Sequence, residues 1–168
     1  MFAIQFQGSL QMSLVASLLL VACLYGSLLL HELGHCLTAR RYGINTREIK
    51  MTILGGMAMF ERSPRVPQQE LLITAAGPLV NFVIAGFLFA GQWLLFGSPF
   101  FSSSSSLPLG LAFEAWNKFA TVLMGLNLVL GTFNLLPGFP MDGGRILRAF
   151  LALKLPYLKA THIAVRVG

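Results

Sequence analysis

Charge is scarce in this chain, and acid is scarcer than base. Only 11% of the 168 residues are charged, six acidic against twelve basic, where a globular domain carries about a quarter. Between Met1 and Leu30 there is no charged residue at all. That scarcity excludes an ordinary water-soluble domain. With 55% hydrophobic residues and a mean hydropathy of +0.73, it leaves an integral membrane protein. Cysteine is scarce too: Cys23 and Cys36 lie on one apolar stretch, several helical turns apart, so no disulfide framework exists. Both read as small membrane-helix residues. The first apolar stretch lacks a basic start, which argues against a cleaved signal peptide. The net charge of +6 does not point to nucleic acid, because nearly all the Lys and Arg fall in two blocks beside apolar spans.

What is present is apolar sequence long enough to cross a bilayer, at 1.5 Å per residue against about 30 Å of hydrocarbon. Three spans are predicted, at roughly 11–38, 71–96 and 112–136. The fold class is an all-α, polytopic membrane protein, a single domain over 1–168. A small β-like segment at 44–60 separates the first two spans, its strands broken at Gly55-Gly56. A polar loop with Pro64 and Pro67 follows. The charge-free stretch 97–110, with its run Ser102 to Ser106, reads as a loop outside the membrane. Glu114 and Lys118 form an i,i+4 pair at the start of the third span. A partly basic, amphipathic tail covers 145–168 and stops without a helix terminator. Arg40, Arg41, Arg47, Lys50, Arg62 and Arg65 follow the first span, and Arg145, Arg148, Lys154, Lys159 and Arg166 follow the third. Three spans put both blocks on one side, predicted to be cytoplasmic.

The chemistry lies in His31-Glu32-Leu33-Gly34-His35, which reads His-Glu-x-x-His inside the first span. Four residues apart on a helix, the two imidazoles share one face and can share a zinc ion. Glu32 beside them is placed to take a proton from water. Two His and a Glu cost several kcal/mol in hydrocarbon, on the order of 2–3 for each charged group, unless something compensates. A catalytic zinc needs a third protein ligand. Asp142, the only Asp of the chain, lies just past the third span, at the depth of the motif. Pro137 and Pro140 prevent a regular helix before it, and Gly143-Gly144 permits close backbone approach. Glu61 is the alternative third ligand, at the spacing seen in many soluble zinc proteases. His162 reads as a surface residue.

Together these residues resemble the site-2 protease family of intramembrane zinc metalloproteases. The likeness rests on His31 to His35 and on Asn134 to Gly144, which is similar to that family's Asn-x-x-Pro-x-x-x-x-Asp-Gly motif. It extends to the Gly55-Gly56 segment and to Gly77-Pro78 with Asn81. The resemblance implies one zinc ion on His31, His35 and Asp142, Glu32 as the catalytic base, and Asn134 near the site as a donor to substrate or oxyanion. It also implies that the β segment is a membrane-associated sheet able to pair with an unwound substrate. Many family members carry a further span before the zinc helix and continue beyond this tail, in one branch into CBS domains. A fragment and an unusually short member are both compatible with the tail.

The implied function is zinc-dependent hydrolysis of peptide bonds within or beside the spans of membrane-protein substrates, with the lipid bilayer as the other partner and no nucleic acid. The active site would face the cytoplasm. A membrane-anchored peptidase for soluble chains and a non-enzymatic zinc-binding membrane protein are the competing readings. A carrier would need ligand sites along a path across the bilayer, and only one cluster is present.

Overall fold

The computed structural model describes residues 2–52, 55–64, 66–96, 108–138 and 140–168. The chain begins with α1 (Phe2–Arg41), turns into a hairpin of β1 (Thr46–Thr52) and β2 (Gly55–Phe60), and returns as α2 (Pro67–Phe96). Then follow α3 (Pro108–Asn134), α4 (Asp142–Ala152) and α5 (Tyr157–Val167). The segment 97–107, with the serine run, lies outside the described residues.

The elements end where backbone chemistry requires. Gly43 has φ 69°, the left-handed conformation that a Cβ penalises. Around it Gly43 N–H donates to Arg40 C=O and Ile44 N–H to Ala39 C=O, a Schellman cap that closes α1 and swings the chain toward the hairpin. α2 starts at Pro67, ahead of the apolar run, because Pro suits a first helical position and the polar turn Gln68 to Glu70 is helical as well. Pro78 inside α2 leaves the Thr74 carbonyl without its helical donor. The two strands pair antiparallel, Ile49 opposite Ala58 and Thr52 opposite Gly55, with one irregularity between Thr46 and Glu48. Gly55 and Gly56, expected as a break, open β2 instead. Gly56 is there because the strand lies against α1, where a Cβ would overlap the side chain of Glu32.

Among the described residues, two helical stretches are long and apolar enough to cross a membrane, Leu14–Arg41 and Pro67–Leu95. α3, expected as a third span, is not one of them; its sequence includes Glu114, Asn117, Lys118 and Asn127. The predicted Glu114–Lys118 pair is formed, at 2.8 Å. The surface is inverted relative to a soluble protein. Leu18, Phe87 and Leu94 are 69%, 76% and 84% exposed, while Asn81 and Asn127 are completely buried. That distribution fits a protein whose outer wall meets lipid.

α2 is the central element, packed against α1, α3 and α4. Gly34 lets α1 approach it closely: a Cβ there would come within 2.8 Å of the Val80 side chain and 2.9 Å of the Ala76 carbonyl. A small apolar cluster of Ala39, Ile44 and Ile73, flanked by Tyr42 and Phe60, fastens the hairpin between the end of α1 and the start of α2. The site therefore has α1, β2, α2 and α4 around it.

Candidate metal centre

His31 and His35 stand one turn apart on α1, and Asp142 is the first residue of α4. All three are buried. His31 Nε2 lies 3.1 Å from Asp142 Oδ2, His35 Nε2 lies 3.2 Å from the same oxygen, and the two Nε2 atoms are 3.2 Å apart. The three atoms form a nearly equilateral triangle. Ligands at about 2.05 Å around a tetrahedral zinc ion are separated by about 3.3 Å, so the spacing fits the ion closely.

Donor chemistry points the same way. His35 Nδ1 is 2.8 Å from the carbonyl oxygen of Ile73, an acceptor only, so Nδ1 carries the proton and donates. Its Nε2 then turns a lone pair into the triangle. Two nitrogens and a carboxylate oxygen converging at such distances form a cation site. The group His31, His35 and Asp142 can hold a metal ion.

Glycines make room for the triangle. A Cβ at Gly77 on α2 would overlap the His35 imidazole and approach His31 Nε2 to 2.7 Å. A Cβ at Gly143 on α4 would overlap the carbonyl oxygens of Leu135 and Leu136, so Gly143 permits the tight return that brings Asp142 back to α1.

Glu32 is buried too, and its Oε2 accepts a hydrogen bond of 3.0 Å from the backbone N–H of Ala58 on β2. That N–H points at α1, away from β1, so the outer edge of the hairpin faces the carboxylate. Glu61 lies elsewhere: it is exposed, and its Oε2 accepts from the Asn45 amide at 3.3 Å. Asn134 ends α3 half-buried, its amide donating to the Leu130 carbonyl one turn back at 3.0 Å. His162 is exposed on α5.

One functional group had no sequence signal. Glu70, in the first turn of α2, is 4% exposed. Its Oε1 accepts from Nε of Arg148 on α4 at 3.1 Å and also from the Arg148 terminal nitrogen; its Oε2 accepts from the Tyr157 hydroxyl on α5 at 3.0 Å. The Arg148 guanidinium also lies over the Tyr157 ring, 5.3 Å from its centre. Burial, then the Glu70 carboxylate, push the Tyr157 phenol above its usual pKa, which keeps it a donor. This clamp ties the two helices after Asp142 to α2.

Comparison with known proteins agrees with the geometry. Residues 19–168 match the profile of Peptidase family M50. The chain belongs to peptidase family M50. A zinc metalloprotease of Methanocaldococcus jannaschii is 44% identical over 146 residues, which are 86% of this chain and 38% of that protein. Stage IV sporulation protein FB of Bacillus subtilis is 26% identical over 147 residues, 87% of this chain and 45% of its own length. Among solved structures, the site-2 protease from Methanocaldococcus jannaschii superposes with a TM-score of 0.60 at 42% identity, covering 86% of this chain and 59% of that one. The M50 chain thus spans less than half the length of these two curated relatives, and the part it shares with them contains both the His-Glu-x-x-His and the Asp-Gly segments.

Proposed function

We propose that this M50 chain forms the core of a zinc-dependent endopeptidase that hydrolyses peptide bonds within or next to the membrane spans of protein substrates. The observation that carries the reading is the triangle of His31 Nε2, His35 Nε2 and Asp142 Oδ2, with edges of 3.1–3.2 Å, buried inside lipid-facing helices with Glu32 beside it. His31, His35 and Asp142 would hold the ion. Zinc there supplies Lewis-acid activation of water and of the scissile carbonyl.

The remaining steps belong to the protein. Glu32 takes the proton of the attacking water and returns it to the leaving amine. Asn134 serves as a donor to the developing oxyanion once its amide leaves Leu130, a role worth about 3 kcal/mol elsewhere. A substrate helix hides its carbonyls in its own hydrogen bonds, so it must unwind before it is cut. The outer edge of β2 offers unwound chain a strand to pair with, directly beside Glu32.

In this reading α3 is a third span, although its polar residues lower its hydropathy, because Asn117 and Asn127 are buried against other helices and not turned to lipid. Three spans and the positive-inside rule support a metal centre toward the cytoplasm, in a single multi-pass domain.

The test is cleavage by purified, zinc-loaded protein of a membrane-spanning substrate, compared with an unfolded soluble protein such as casein. The reading requires the spanning substrate to be cut and Glu32→Gln to lower the rate by about 10²–10⁴, the usual worth of a general base, at unchanged zinc content. Equal or better cleavage of casein would favour a peptidase for soluble chains. Bound zinc without cleavage of either would favour a non-enzymatic binder.

A further inference from the structure

The two histidines of the triangle differ in how their second nitrogen is held. Nδ1 of His35 donates to the Ile73 carbonyl. Nδ1 of His31 is buried and has no hydrogen-bond partner among the described residues. A metal-binding histidine nearly always donates its other ring N–H to a defined acceptor, which fixes its tautomer and orientation. Among the described residues His31 lacks such an acceptor.

Three other buried side-chain atoms near its level share that condition. They are Nδ2 and Oδ1 of Asn81, and Oδ1 of Asn127. Both asparagines are 0% exposed. Helix geometry brings them together. α1 and α2 run antiparallel here, because His35 meets Ile73 while Gly77 meets both imidazoles. Ser27 lies four residues before His31 on the same face of α1, and Asn81 lies four residues after Gly77 on the same face of α2. Each is displaced by about 6 Å in the same direction from the triangle. Asn127 on α3 joins them, its Nδ2 donating to Ser27 Oγ at 3.2 Å. Side chains on α1 lean toward its amino-terminal end, so the His31 ring is carried toward this cluster.

Each unsatisfied buried polar group costs about 1–3 kcal/mol. The donors are His31 Nδ1–H and the Asn81 amide N–H, and the acceptors are the carbonyl oxygens of Asn81 and Asn127. Two donor groups and two acceptor oxygens match the bonding capacity of water, which typically makes about three such bonds when buried.

We propose that Asn81 and Asn127, the latter held by Ser27, form an internal water site, one turn behind the metal, that accepts the His31 Nδ1–H and thereby fixes the tautomer that presents Nε2 to the ion. Asn81 and Asn127 are then positioning residues, not catalytic ones. The inference rests on the metal reading above.

The test uses zinc affinity by chelator competition and, in the cobalt-substituted protein, the exchangeable ring N–H resonances of the two histidines. In wild type the His31 signal should exchange with solvent faster than that of His35. Asn81→Leu and Asn127→Leu should each shift the His31 signal and weaken zinc binding about tenfold or more, leaving the His35 signal in place. Asn81→Ser, small enough to admit a replacement water, should stay within about threefold of wild type in zinc affinity if water is the partner. Gln92→Leu is the control. It removes another completely buried amide, bonded to Asn117 and Thr121, about 16 Å farther along α2. It should leave zinc affinity and both signals unchanged. The inference is overturned if both leucine variants bind zinc within twofold of wild type with the His31 signal unmoved, or if Gln92→Leu weakens zinc as much as they do. Absence of metal binding by wild type would overturn the metal reading itself, a result distinct from either.

Discussion

Asp142 is the residue on which the centre turns. It supplies an anionic oxygen of the triangle from a different helix than the two histidines. Asp142→Asn keeps the shape and removes the charge. Zinc affinity is expected to fall by at least tenfold, read by metal content after dialysis against a weak chelator; retention of full zinc would move the third ligand elsewhere. Gly77 makes a complementary prediction. Gly77→Ala forces a methyl group into the space of both imidazoles. The helix itself should gain slightly, since alanine is favoured over glycine by about 1 kcal/mol in a helix interior. Zinc affinity should nevertheless drop, and that opposition of sign separates crowding of the site from general destabilisation. At this scale the sequence was readable where chemistry demands a residue type at a fixed spacing. His31, Glu32 and His35 are local on one helix, and Asp142 stands out because acids are so few. Gly77 stands out in the sequence only through the Gly77-Pro78 resemblance, since the imidazoles it accommodates belong to another helix.

Among the elements, the hairpin and the pair α4–α5 matter most, and both were legible only in outline. The segment 44–60 reads as strand-like in the sequence, but the role of Gly56 depends on β2 lying against Glu32, a contact no local pattern encodes. The tail read as basic and amphipathic, while its anchor sits on α2. Glu70 was one acid among five glutamates until Arg148 and Tyr157 were seen to converge on it. Glu70→Gln keeps an acceptor for Tyr157 and removes the charge facing Arg148. A charge-assisted hydrogen bond of this kind contributes about 1.5–3 kcal/mol. The expected result is faster amide hydrogen exchange across α4 and α5 with α1 unaffected, measured in detergent micelles. Equal exchange in both proteins would show that apolar packing alone seats these helices.

For the whole molecule, metal, pH and stability are linked. A ligand that binds only the folded state adds about 2.7 kcal/mol at a free concentration one hundred times its Kd. Protons compete with the metal for the two imidazoles. Zinc affinity, and the stability it confers, should therefore weaken progressively as the pH falls. Thermal unfolding with and without chelator should differ clearly at pH 7.5 and converge near pH 5. A chelator effect undiminished at pH 5 would contradict histidine ligation. The membrane character was legible at this scale from charge scarcity alone. α3, expected as a third span, is not among the described helices long and apolar enough to cross a membrane, and its asparagines are turned inward in the fold.

The ligands of the triangle come from far apart in the chain: His31 and Asp142 are 111 positions from each other. On a ribosome the amino-terminal ligands and Glu32 therefore exist for most of synthesis without their third partner. A partly made chain carries the complete His-Glu-x-x-His helix but no complete metal site. Under the proposed reading, hydrolytic power is withheld until α4 has been translated and has folded back to α1. Under that reading the order of translation alone delays a complete centre until the helices before α4 have been made.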